Sequence, residues 1–305
     1  MSRTPRTVFG MPAYNRPDKL AQTLESLLMQ TRGDFAIVIV DDKPTPDVQA
    51  IVQEYASIDS RIHYEPNPER LGMVGNWRKA FERARDLYPD SEYFAWVSDH
   101  DVWHPRWLEV LSAVLDEDSR VVMAYPQMER LFPAWRRSII RRFETGGTAR
   151  PIDRLKAAFA PHGGITAGNA IYGLFRARAL QRAGVFRAVL APDRQVLMEL
   201  NLYGEFVHVP EILWYREVAG MFSYARQRRM FFPGRSPLHT YLPANLQHCG
   251  VLFWDLAVMG RGTPEIGRVA GTGYALAYLW LSTKRELMRK DARWRLAFTR
   301  VPREA

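Results

Sequence analysis

Short apolar runs alternate with amphipathic helical segments through the first 125 residues, and no other feature limits the fold as strongly. TVFGMP (7–12) starts as a short strand. RPDKLAQTLESLLMQ (16–30) sets Leu20, Leu24, Leu27 and Leu28 on one helical face, with Asn15 and Pro17 suited to the helix start. FAIVIV (35–40) is apolar on both faces, as a buried parallel strand is. PDVQAIVQEY (46–55) returns to helical spacing, and RIHYE (61–65) is a weaker strand. NWRKAFERARDLY (76–88), EYFAWV (92–97), PRWLEVLSAVL (105–115) and RVVMAY (120–125) continue the series as helix, strand, helix and strand. Such alternation predicts a mostly parallel sheet with helices on both faces.

The pattern then changes. Residues 130–151 (RLFPAWRRSIIRRFETGGTARP) are basic and aromatic and read as loop-rich. AIYGLFRARALQRAG (170–184) reads as a strand leading into a helix, and PDRQVLMELNLYG (192–204) as a helix stopped by glycine. EFVHV and EILWYRE (205–217) read as two strands. Beyond residue 220 the chain is basic, then mixed apolar, with several helices and no sheet pattern.

Hydrophobic residues make up 47% of the 305, enough for a real core. The single cysteine, Cys249, excludes an internal disulfide framework and a cysteine-rich zinc site, and fits a reducing compartment. MSRTPRTVFGMPAYN has no apolar run of signal-peptide length. VAGTGYALAYLWLST (269–283) offers 15 residues before Lys284. That is short of the roughly 20 a spanning helix needs, and leaves room for an interfacial one. The net charge of +9 suits polyanions: nucleic acid, anionic lipid or phosphorylated substrates.

Ligands of an open parallel sheet bind beyond the carboxyl ends of its strands. PAYNRP follows the first strand, Asp41-Asp42-Lys43 the second, and Asp99-His100-Asp101 the strand YFAWV. All three converge on one rim. Carboxylates there suit a hard cation, Mn²⁺ or Mg²⁺, which takes its remaining ligands from phosphate and water. A D-x-D pattern therefore points to a metal bridging to a diphosphate, whose departing charge it neutralises. The rival enzyme reading is a zinc-dependent hydrolase, because HDVWH with His100 and His104 mimics H-E-x-x-H. Against it, the motif follows a strand, and Pro105 disfavours helical geometry at His104. A non-enzymatic basic lipid or nucleic-acid binder explains the charge. It does not explain three acidic motifs on one rim, so no nucleic-acid partner is expected.

The succession strand–PAYNRP–helix, strand–Asp41-Asp42, NPERLGMVGNWRKAFERAR and FAWVSDHDVWHP resembles glycosyltransferase family 2, over residues 7–217. The resemblance implies a GT-A fold, a Rossmann-like α/β domain over 1–217. Its nucleotide-binding half would span about 7–125 and its acceptor half about 126–217. Residues 218–305 would form a mostly helical, basic extension, a candidate membrane or dimer contact. Pro12, Ala13 and Tyr14 would line the base pocket, and Asp42 would contact base or ribose. Leu71, Asn76 and Arg78 would flank the nucleotide and donor sugar. Asp99 would contact ribose or metal, Asp101 would be the main metal ligand, and His100 the variable middle residue.

GNAIYGLFRARALQRAGVF looks like the acceptor-side strand and helix, and APDRQVLMELNLYG like the segment that delivers the catalytic base. Asp193 takes that role, with Pro192 where many relatives carry Glu. Many GT-A enzymes add a histidine metal ligand after the late strand. LWYREVAG has none, which leaves Arg216, Glu217, a distant His239, or no residue at all, to fill the space. The implied reaction is an inverting transfer from a nucleotide-diphosphate sugar, UDP favoured, to a hydroxyl of a lipid-linked or cell-envelope glycan. FPAWRRSIIRRF (132–143) and YARQRRMFFPGR (224–235) resemble membrane-surface patches, with Trp135, Phe143, Phe231 and Phe232 at the acyl boundary. The expected location is cytoplasmic, peripheral on the inner face of the cell membrane.

Overall fold

A computed structural model describes residues 4–131, 136–139, 143–160, 165, 167–217, 223–262 and 265–298. The strands are β1 (Thr7–Ala13), β2 (Phe35–Asp41), β3 (Ile62–Pro66), β4 (Tyr93–Trp96), β5 (Val102–Trp103), β6 (Val121–Leu131), β7 (Arg136–Ile139), β8 (Leu174–Arg176) and β9 (Glu205–Glu217). Every residue of β1 and β2 is buried, which is why both read as continuous apolar runs. These two strands pair in parallel with each other, β3 joins the outer edge of β2, and β4 joins the inner edge of β1. The sheet runs in the order β3-β2-β1-β4-β8-β6-β9-β5, with β7 against β6. Antiparallel β8 joins the parallel β3-β2-β1-β4 half to the parallel β6–β9 pair.

Helices α1 (Pro17–Leu28), α2 (Pro46–Ile58), α3 (Gly72–Leu87) and α4 (Trp107–Glu117) link the first strands. They are followed by α5 (Pro151–Ala158), α6 (Ala167–Ala170), α7 (Ala177–Arg182), α8 (Pro192–Leu200), α9 (Tyr224–Phe231), α10 (Ala244–Phe253) and α11 (Arg268–Phe298). Trp77, Phe94, Trp96 and Phe186 form an aromatic cluster between α3 and the sheet. The indole of Trp96 donates to the Trp77 carbonyl at 2.9 Å. Each buried indole contributes about 3 kcal/mol through removed apolar surface, and its N–H needs the partner it has.

Three segments differ from the sequence reading. EFVHV and EILWYRE are one strand. Pro126 pairs with Val209 and Gln127 with Ile212, so Pro210 and Glu211 form a bulge. A proline lacks the ladder N–H, and a bulge accommodates it. The 130–151 segment holds more regular structure than expected: β6 runs on to Leu131, β7 pairs with it, and α5 begins at Pro151. Two-residue β5 has no local periodicity of its own. It exists because Val102 and Trp103 pair with Tyr215 and Trp214, where the two indoles stack at 5.6 Å.

The C-terminal helices are fastened to α8. Tyr274 of α11 donates to the Met198 carbonyl at 2.8 Å and accepts from Asn201 at 3.3 Å. His248 of α10 meets the Leu190 carbonyl at 2.6 Å through Nε2, so that nitrogen carries the proton and Nδ1 accepts from the Tyr278 hydroxyl. Burial holds the His248 pKa down to about 3, so the ring is neutral. The outward face of α11 carries Val269, Leu276, Trp280 and Leu287, all exposed and in register along one stripe. Among the described residues no helix is long and apolar enough to cross a membrane. Of the aromatics assigned to an acyl boundary, Phe143 and Phe231 are buried in the core and unavailable to lipid, and Phe232 is half-buried. Trp135 lies outside the described residues.

Candidate active site

A cavity of about 950 Å³ opens where β1, β2 and β4 end and extends to α8, α9 and α11. Three of the expected motifs reach it, through Pro12 and Tyr14, Asp42, and Asp99 with His100. On the first rim Tyr14 presents a half-exposed ring with the Arg70 guanidinium 5.1 Å from its centroid. Asn15 sits at φ 53°, which turns the chain sharply after β1. The guanidinium and the ring form a cation–π pair on the cavity wall. Nothing local in the sequence pointed to Arg70.

Asp42 lines the cavity, yet its carboxylate is committed to the fold. Oδ1 accepts from the Leu71 N–H at 2.6 Å and from the Asn67 amide at 3.1 Å, and Oδ2 accepts from the Gly72 N–H at 2.9 Å. It thereby holds the start of α3, where unpaired N–H groups favour an anion. Gly72 is required there. Its φ is +74°, and a Cβ would lie 2.3 Å from the Phe231 carbonyl oxygen. Asn76 also serves the frame. Its amide donates to the Val40 and Ala13 carbonyls at 3.0 and 3.3 Å, joining the ends of β2 and β1. Ala13, Leu71 and Arg78 are not on the cavity wall. Arg78 pairs with Glu82 at 2.7 Å and reaches the Phe186 carbonyl at 3.2 Å.

The Asp99-His100-Asp101 turn divides its groups. Asp99 accepts from the Tyr14 N–H at 2.7 Å and meets His100 Nδ1 at 2.6 Å. Burial disfavours charge on the His100 ring, but the Asp99 hydrogen bond and the negative fields of Asp101 and Asp99 outweigh it and raise the pKa. Asp101 is 1% exposed and does not line the cavity. Its oxygens accept from the Trp214 indole at 3.1 Å and the Glu217 N–H at 3.0 Å, contacts that the β5–β9 pairing creates. Burial pushes its carboxyl above the usual range, against the pull of His100.

Among the described residues no three His, Cys, Asp or Glu side chains form a metal-holding group. Of the two carboxylates of the turn, Asp99 faces the cavity and fits a hard cation completed by diphosphate and water, whereas Asp101, expected as the main metal ligand, is turned away into the β5–β9 contacts. The turn does not fit a closed zinc cage. The histidine pair is split. His100 lines the cavity, His104 does not, and β5 rather than a helical turn lies between them. Of the groups left to fill the late-strand position, Arg216 reaches the cavity. Glu217 pairs with Arg16 at 3.2 Å and Lys19 at 3.4 Å. His239 sits elsewhere, 2.6 Å from the Ala188 carbonyl.

Asp193 occupies the first turn of α8 and faces the cavity. The preceding Ala191 takes a left-handed conformation at φ 48°, a strained conformation for a residue other than glycine. Its N–H is held by the Gln227 side chain of α9 at 3.0 Å. Burial in the cavity raises the Asp193 pKa against the pull of Arg194 and Arg216. Arg216 donates to the Gly168 carbonyl at 2.7 Å, and a Cβ on Gly168 would touch both Asp193 Oδ2 and Arg216 Nη1. That glycine keeps open the space between the carboxylate and the guanidinium.

The glycosyl transferase family 2 model matches residues 9–181, more than half of the chain. The chain belongs to glycosyltransferase family 2. Its curled, mostly parallel sheet is the GT-A fold that the sequence resemblance implied. TuaG of Bacillus subtilis, named for teichuronic acid biosynthesis, is 35% identical over 98 residues, 32% of this chain and 37% of TuaG. The chain thus spans about a third of the length of the curated relatives it matches. TarS (residues 1–349) of Staphylococcus aureus, in complex with UDP-GlcNAc, superposes with a TM-score of 0.59 at 15% identity, covering 90% of this chain and 71% of that one. The mannosyltransferase PcManGT of Pyrobaculum calidifontis, with GDP-Man and Mn²⁺, gives 0.53 at 16% identity over 95% of this chain and 89% of that one.

Proposed function

We propose that this protein transfers a sugar from a nucleotide-diphosphate sugar, UDP favoured, to a hydroxyl of a lipid-linked or cell-envelope glycan, with inversion. One observation carries the reading. Asp193 opens onto the same cavity as the Tyr14–Asp42 rim and the Asp99–His100 pair, so an acceptor base and a nucleotide rim would face one shared space. Asp193 takes the acceptor proton as the hydroxyl oxygen attacks the anomeric carbon. The bond from that carbon to the phosphate oxygen breaks, and its electron pair leaves on the nucleoside diphosphate. Arg216 sits beside Asp193 and stabilises negative charge there. Tyr14 and Arg70 hold the base. Asp99 would hold Mn²⁺ or Mg²⁺, which would supply charge neutralisation at the diphosphate, while Asp101, bonded to the Trp214 indole and the Glu217 N–H, stands behind the cavity wall. The bound nucleotides of TarS and PcManGT, and the Mn²⁺ of the latter, support this assignment.

The deciding experiment measures binding and hydrolysis of a panel of UDP-, GDP- and dTDP-sugars with Mn²⁺ and with EDTA. Expected is turnover of one UDP-sugar that falls to background in EDTA. Failure of every donor to bind would refute the transferase reading.

Peripheral contact with an anionic membrane is part of the proposal, from the cytoplasmic side. The α11 stripe, with Trp280 69% exposed, is the supporting surface. Sedimentation with anionic vesicles at low salt tests it. No binding there removes the membrane claim alone.

A further inference from the structure

The loop that leads into α8 is held by side chains from beyond β9. The Ala188 carbonyl accepts from His239 Nε2 at 2.6 Å. The Leu190 N–H donates to the Gln247 side-chain oxygen at 3.0 Å, and the Leu190 carbonyl accepts from His248 Nε2 at 2.6 Å. The Ala191 N–H donates to Gln227 Oε1 at 3.0 Å. Ala191 is the residue that most needs its tie. It sits in the left-handed region, at φ 48° and ψ 54°. That conformation disfavours alanine by about tenfold against the right-handed one. Its carbonyl nonetheless starts α8, accepting from the Arg194 and Gln195 N–H groups at 3.1 and 3.4 Å. Asp193 follows two residues later, in the first turn. A change of φ and ψ at Ala191 therefore swings that turn and carries the carboxylate with it.

Gln227 is itself well anchored. The next residue of α9, Arg228, donates to the Thr240 carbonyl at 3.1 Å and lies 4.6 Å from the centre of the Tyr241 ring. Phe231, at the end of α9, is buried in the core, and its carbonyl presses on Gly72, where Asp42 holds the start of α3. One helix thus rests on the nucleotide rim and grips the loop of the proposed base. We propose that Gln227 is a positioning residue. Its amide oxygen keeps Ala191 in a conformation that alanine by itself leaves, and so sets Asp193 against the acceptor hydroxyl. Through α9 the placement of the base depends on the nucleotide side. This rests on the transferase reading of Asp193.

The test compares Gln227→Met, which keeps the side chain's length and removes the acceptor, with the double variant Gln227→Met/Ala191→Gly. Glycine takes the left-handed region without steric cost, so it holds the loop's shape when the tie is gone. With a donor sugar that the wild type turns over, Gln227→Met is expected to lower kcat about tenfold, the preference of alanine for other conformations. The donor KM is expected to stay within about twofold. The double variant is expected to regain kcat to within about threefold of the wild type, and Ala191→Gly alone to stay within about twofold. A wild-type kcat in Gln227→Met overturns the proposal. So does a loss that Ala191→Gly leaves in full, which would mean that Gln227, on the cavity wall, touches the substrate itself. A wild type that turns over no donor brings down the transferase reading instead, and crystal structures then decide the tie. Ala191 is expected to leave the left-handed region in Gln227→Met, and position 191 to keep it in the double variant. An unmoved Ala191 in Gln227→Met overturns the tie.

Discussion

Asp42 separates two roles that one substitution can distinguish. By resemblance it contacts base or ribose; by geometry it caps α3. Asp42→Ala removes the acceptor of the Leu71 and Gly72 N–H groups and of the Asn67 amide. Asn67 retains the Asn76 oxygen at 3.0 Å, so two backbone donors are left orphaned at a site where Asp42 is 5% exposed. Each buried orphan costs about 1–3 kcal/mol, and the lost helix cap lies within that figure. The expected loss is about 2–6 kcal/mol for the two donors. Asp42→Asn keeps one oxygen as acceptor and turns an NH₂ toward the other donor, so about half that loss is expected. Urea unfolding followed by tryptophan fluorescence measures both, and UDP titration of the folded fraction measures the other role. A variant that unfolds at the wild-type midpoint but binds UDP at least tenfold more weakly would refute the capping argument and restore the nucleotide contact.

Asp193→Asn should lower transfer by about 10²–10⁴-fold, the usual contribution of a general base. Because burial raises the Asp193 pKa, the wild-type rate should climb with pH through a limb displaced above the normal carboxylate range, and the variant should lack that limb. Gly72→Ala forces a Cβ against the Phe231 backbone at a left-handed position, and a melting temperature lowered by several degrees checks it. Glu199 is buried beside Arg187 at 3.3 Å, and burial lifts its pKa from 4.5 to about 8, against the pull of Arg187. A raised carboxyl folds protonated. Its contribution is present below the unfolded value and is lost as pH rises towards 8, by up to about 1.4 kcal/mol per pH unit. Chemical denaturation from pH 5 to 8 should therefore show falling stability that Glu199→Gln flattens.

The nucleotide half was legible because its central strands are buried on both faces and its helices carry a clean apolar stripe. β1, β2 and α1 to α4 each fall within about two to four residues of the expected span, the usual error of an element boundary. β5 was not legible, since two residues carry no period and only their partners in β9 define them. The same holds for the site. Tyr14, Asp99 and Asp193 follow recognisable strand or helix ends and do face the cavity. Arg70, Arg194 and Arg285 come from separate segments and form no motif, and Arg226 and Arg229 stood out only as part of a basic-aromatic surface patch, so only the folded chain brings them to the cavity. Asp101 was read as the leading ligand from its place in D-x-D. Its burial behind Trp214 depends on a cross-strand contact that the local sequence does not encode.

The ties between α8 and the C-terminal hairpin bear on how such a chain can be recombined. Tyr274, His248 and Tyr278 clasp the helix that carries Asp193 and the loop before it. A boundary drawn at residue 217 therefore cuts through the support of the acceptor side. Residue 125 offers no seam either, since it lies within β6, between its pairings with β8 and β9. To move the acceptor side between relatives, hairpin and base helix would have to be transplanted together.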